Sequence, residues 1–120
     1  MNEYPDTTMA IVSNLWLRQM HFKKAGDRNE GHVHSFDHVT LLAKGSVTVD
    51  VEGKLTDFAA PHMIYVQAGK SHFLIAKEDD TLAYCVHAIR NADYAGDIMD
   101  PAMIPEGIEK LSDIPNIRPL

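Results

Sequence analysis

The chain has 120 residues, 45% of them hydrophobic and 23% charged, with a formal net charge of −6. That length supports one domain with one core, not two. Lys23 and Lys24 are the only adjacent basic pair, which excludes a general nucleic-acid binder and argues against docking on anionic membranes.

Residues 1–8 are polar, contain Pro5, and read as a flexible N-terminal arm. From residue 10 to 23 the chain is rich in apolar side chains, among them Val12, Leu15, Trp16, Leu17, Met20 and Phe22. Residues 15–23 read as a strand, with a helix left open by pattern alone. Gly26-Asp27-Arg28-Asn29-Glu30-Gly31 is a loop of turn formers between two glycines. Residues 32–34 and 38–43 follow as strand, closed by Lys44-Gly45.

Residues 46–51 alternate strictly, with Val47, Val49 and Val51 on one face and Ser46, Thr48 and Asp50 on the other. That is a half-buried strand. Glu52-Gly53-Lys54 turns the chain into a second strand over 55–58, forming a hairpin. A turn at Ala60-Pro61-His62 leads to a strand over 63–66, and the loop 67–70 to another over 71–76. The charged turn 77–80 precedes a long apolar strand over 81–89. Many short strands separated by turns predict an all-β sandwich or barrel. The last thirty or so residues change character: Pro101, Pro105, Pro115 and Pro119 interrupt isolated apolar residues. They read as an irregular C-terminal tail with one short helix over 106–111, packed on the barrel or on a second protomer.

Cys85 is the sole cysteine, so no intramolecular disulfide is available, and it reads as a small buried hydrophobe rather than a nucleophile. No leader-like start and no bilayer-spanning apolar run is visible, and a cytoplasmic location is expected.

The residues with chemistry are histidines. His32 and His34 are two apart in an extended segment and share a face by strand parity. His38 joins them if the strand resumes in phase. Neutral imidazole is the commonest protein ligand for transition metals. Three on one wall, with His72 from a distant strand, make a candidate metal site.

These positions resemble the cupins, which are double-stranded β-helix or jelly-roll barrels. Their first motif runs Gly, five residues, His-x-His, three or four residues, Glu, six residues, Gly. Here it reads Gly26, His32-Val33-His34, His38 and Gly45, with His38 in place of the usual Glu. In the second motif Pro61 replaces a Gly, Gln67 a Pro and Ala76 an Asn, while Gly69 and His72 are kept. The resemblance spans roughly residues 15 to 90. It implies a barrel over 9–90 between the arm and the 91–120 tail, and a homodimer paired through sheet edges and arms.

By the resemblance, His32, His34, His38 and His72 bind a divalent transition metal: Fe, Ni, Zn, Mn or Cu. Four neutral imidazoles leave about +2 at the centre, where three and a carboxylate leave about +1, which favours anionic, chelating ligands. His38 can instead sit in an outer position, leaving three histidine ligands. Asp37 falls on the opposite face from His38 by parity. His87 alternates with Cys85 and Ile89 and is a candidate acid–base group, or else a half-buried strand histidine. Tyr65, beside the second motif, is a candidate for the mouth of the site, as is Gln67. Thr40 should face inward as a packed hydroxyl. Arg18 and Trp16 are open to an anionic substrate or to a rim ion pair and a core aromatic. His62 and His21 read as surface and structural histidines.

Two functions follow. One is a mononuclear metal-dependent enzyme of dioxygenase or isomerase type, acting on a small dicarbonyl, enol or hydroxy-acid compound. The other is a non-catalytic cupin module that senses or sequesters a metal or small ligand. One fold serves both.

Overall fold

Among the described residues, the alternation of β-branched and polar side chains produces nine strands and no helix. A computed structural model describes residues 4–12, 15–29, 32–33, 38–67, 69–88 and 107, with only the backbone at 32 and 33. The strands are β1 (Asp6–Val12), β2 (Leu15–Phe22), β3 (His32–Val33), β4 (His38–Lys44), β5 (Ser46–Val51), β6 (Lys54–Ala59), β7 (His62–Val66), β8 (Ser71–Ala76) and β9 (Thr81–Ala88). They form a five-stranded sheet, β1-β2-β9-β4-β7, and a four-stranded sheet, β3-β8-β5-β6, with every named pairing antiparallel. None of the described segments is a helix long and apolar enough to cross a membrane.

The inner faces of both sheets supply the core. Trp16, Met20 and Phe22 from β2, Leu42 from β4, Ile64 and Val66 from β7, and Ala83 and Cys85 from β9 face Val47, Val49, Leu74 and Ala76. The strict alternation expected for residues 46–51 is observed, with Val47 and Val49 buried and Thr48 bonded across the outer face to Asp57 at 2.7 Å. The turn after β5 has positive φ at both Glu52 and Gly53, the backbone of a two-residue hairpin whose twist suits antiparallel strands.

One expectation needs correction. Asp6, Thr7 and Thr8 belong to β1 and not to a loose arm, pairing with His21, Met20 and Gln19. Their polar side chains carry no apolar signal, because β1 is an edge strand with alternate positions exposed; pairing to β2 is what orders it. β2 itself is a strand, which closes the helical alternative for that segment. The tail and its short helix lie outside the described residues apart from Gly107. His21 is structural, with Nε2 2.7 Å from Asp80 Oδ1, and Asp80 also accepts from Lys44.

Cys85 is buried, with its Sγ 3.6 Å from Thr40 Oγ1. Burial pushes the thiol above its ordinary pKa, although the Thr40 contact and the Arg18 charge oppose the rise. The thiolate is the reactive form, so in the folded protein iodoacetamide is expected to alkylate Cys85 on the order of a hundredfold more slowly than after denaturation. Mass spectrometry over a time course checks this; prompt stoichiometric labelling of the native protein contradicts the burial.

Candidate functional site

Strand registers gather the titratable inner-face residues at one end of the barrel. On the five-stranded sheet, Trp16 pairs with His87, and His38 pairs with Val66. β4 and β9 pair Val39 with Val86 and Thr40 with Cys85; one more step of that register sets His38 level with His87. Trp16, His87, His38 and Val66 therefore form one row across the sheet. His38 and His87 are 8% and 6% exposed. On the opposing sheet, His72 is 5% exposed and pairs with Val51 on one side and His32 on the other.

The two rows meet. The rings of His38 and His72 have centroids 5.2 Å apart and are tilted by 44°. His72 Nδ1 lies 3.2 Å from the Lys70 carbonyl oxygen. A carbonyl only accepts, so Nδ1 carries the proton and the neutral ring has its lone pair on Nε2. This is the arrangement by which an outer hydrogen bond fixes a ligating histidine's tautomer. Metal–nitrogen bonds of about 2.0–2.1 Å put two imidazole centres on one ion roughly 5 Å apart. The two described rings fit a shared ion.

The loop before β3 is held against β8 by its own backbone. Gly26 N donates to Ala76 O at 2.8 Å, Ala76 N to Asp27 O at 2.8 Å, and Asn29 N to Leu74 O at 3.2 Å. Buried Asn29 also accepts from Leu74 N through Oδ1 at 2.7 Å. Gly26 has φ of 93°, a left-handed value that glycine adopts without steric cost. This run delivers His32 to its register position opposite His72.

The described residues contain no group of three metal-ligating side chains; the side chain of His32 and the whole of His34 lie outside them. Asp37 also lies outside them. Tyr65 alternates with inward Ile64 and Val66 and is 64% exposed, and both it and Gln67 border the cleft between the sheets. Thr40 is inward and packed, as expected, and His62 is exposed beside Phe58. Trp16 Nε1 and Arg18 Nε are buried with no hydrogen-bond partner among the described residues.

A cleft of about 320 Å³ opens between the sheets. Val49, Val51, Ile64 and Val66 line its apolar wall, and Lys54 and Lys70 also border it. None of the described histidines is in its lining, but Val51 and Val66, the register partners of His72 and His38, are. The cleft thus abuts the histidine rows. The two lysines were not anticipated from the sequence, where a lysine in a turn or loop reads as solvated.

No protein-family model matches the chain, and no curated protein matches it in sequence. Solved structures do match its architecture. KdgF from Halomonas sp. superposes with a TM-score of 0.61 at 18% identity, over 72% of this chain and 79% of that one. A cupin superfamily protein from Desulfitobacterium hafniense gives 0.60 at 15% identity, over 71% and 79%. An RmlC-like cupin with a double-stranded β-helix fold from Methanocaldococcus jannaschii gives 0.60 at 12%, over 70% and 81%. The chain has the cupin fold. At these identities the cupin likeness fixes the architecture, and the chemistry has to be argued from the side chains.

Proposed function

We propose that this chain is a metal-binding cupin acting as a mononuclear metal-dependent enzyme, of dioxygenase or isomerase type, on a small oxygen-rich compound. The supporting observation is the pair of buried rings, His38 and His72, brought from opposite sheets to 5.2 Å with the His72 tautomer set by the Lys70 carbonyl. His32, opposite His72 in register, and His34 from the first motif complete the proposed ligand set. Directly opposed positions of an antiparallel pair lie on one face of a sheet.

Bound there, a divalent ion (Fe, Ni, Zn, Mn or Cu) supplies Lewis acidity, and redox chemistry in the case of iron. The chain's own contribution is placement and proton handling. The apolar wall of Val49, Val51, Ile64 and Val66 excludes water from a dicarbonyl, enol or hydroxy-acid ligand. His87, buried in the same row as His38, is the proposed acid–base group. A buried titratable group beyond the proposed ligands favours catalysis over simple sequestration. Exposed Met63 and Tyr65, on the outer face of edge strand β7, are where a second protomer is proposed to pack.

Elemental analysis of protein purified without a metal-scavenging tag tests the ligand set, and turnover of a dicarbonyl panel, followed by oxygen uptake and by product analysis, tests the activity. Bound transition metal with turnover supports the enzyme. Tight Zn or Ni without turnover shifts the assignment to a binding or sensing module, and absence of any transition metal sinks the metal centre and the enzyme built on it.

A further inference from the structure

The lysines of this acidic chain are not distributed at random with respect to their partners. Among the described residues, Lys23 pairs with Asp6, Lys24 with Asp79, Lys44 with Asp80 and Lys77 with Asp57. Lys54 and Lys70 have no ion pair among the described residues, and both border the cleft. They come from separate places: Lys54 begins β6 at the hairpin turn, and Lys70 precedes β8. The β5–β8 pairing, with Val51 opposite His72 and opposite Lys54 across the hairpin, brings the two segments to the same end of the sheet.

We infer that the cleft binds a small organic carboxylate, with its apolar body against Val49, Val51, Ile64 and Val66 and its charged end between Lys54 and Lys70. An isolated cation pair at the edge of an apolar recess, in a chain of net charge −6, selects an anion with an apolar body over a neutral or cationic one. The inference rests on the proposed reading of the barrel interior as a small-molecule site and narrows its ligands. Lysine is a point charge on a flexible stem, so the recognition is of charge more than of planar geometry.

The test uses benzoate and its neutral counterpart benzamide, titrated into full-length protein before and after removal of metal with a chelator, with methyl NMR shifts as the readout. Benzoate is expected to shift the methyls of Val49, Val51, Ile64 and Val66, and to weaken as salt is added. Lys54→Met and Lys70→Met should each raise the benzoate dissociation constant about fivefold, as for a partly exposed ion pair. Neither should alter the response to benzamide or the thermal midpoint. Equal binding of benzoate and benzamide overturns the inference, as does a double variant that holds benzoate unchanged, or shifts confined to another surface. Metal content measured on the same samples keeps the two readings apart. Benzoate bound at the cleft of protein that holds no metal as purified, before any chelator, supports the carboxylate site and counts against the metal centre. Metal retained with no benzoate response does the reverse.

Discussion

His72→Ala is expected to empty the metal centre while leaving the barrel folded. His72 is buried on the inner face of its sheet, and its ring meets His38 from across the barrel at 5.2 Å. Removing it takes one ligand from the set and releases the Lys70 carbonyl from the bond that orients the ring. Loss of an outer hydrogen-bond partner alone lowers metal affinity about 10–100-fold, so loss of the ligand should exceed that and leave no metal after dialysis. The structural cost is smaller: one buried ring and one hydrogen bond, about 1–3 kcal/mol. His62→Ala is the matched control, since that ring is exposed and stacks on Phe58 at 4.8 Å. Elemental analysis and circular dichroism of both variants give the answer. A chelator should lower the thermal midpoint of the parent and of His62→Ala but not of His72→Ala, because metal binding is linked to folding. If His72→Ala keeps a full complement of metal, the ligand assignment is wrong.

Much of the barrel is legible in the order of residues because the strands carry their own signal. Alternation in residues 46–51 gives β5 to the residue, and the positive-φ turn at Glu52-Gly53 fixes the hairpin that follows. Thr40 and His38 share a face by parity, and the structure buries both. What is hidden depends on pairing between distant segments. β1 is invisible because edge positions tolerate polar residues such as Asp6 and Thr8. That His87 stands level with His38 follows only from a register between strands almost fifty residues apart. The same holds for Lys54 and Lys70, whose joint placement at the cleft follows from the pairing of β5 with both β6 and β8. The first motif's glycines, by contrast, carry a physical requirement of their own.

Gly45 carries the stronger one, and Gly45→Ala is expected to destabilise the fold severely. Its φ is 83°, and a Cβ there would stand 2.3 Å from Thr81 Oγ1 and 2.9 Å from Thr81 Cα. The second of these is backbone and cannot rotate away. Thr81 is itself fully buried, and its hydroxyl donates to the Glu78 carbonyl at 2.9 Å. Gly45 O in turn accepts from Ala60 N at 2.9 Å, so the turn is fixed from both sides. The left-handed backbone costs alanine about 1–2 kcal/mol, and relieving the clash about 1–3 kcal/mol more. A loss of about 2–5 kcal/mol is a large share of the roughly 5–15 kcal/mol that holds a domain of this kind. Gly69→Ala separates the two contributions, because Gly69 has nearly the same φ, 81°, with none of the described residues within 4 Å of its would-be Cβ. It should lose only the backbone part. Urea unfolding of the two variants measures the difference, and equal midpoints would mean that the approach of Thr81 is not what demands a glycine between β4 and β5. Since β4 carries His38, a Gly45→Ala protein that still folds should bind metal as the parent does. The glycine then serves the barrel, and the histidines serve the site.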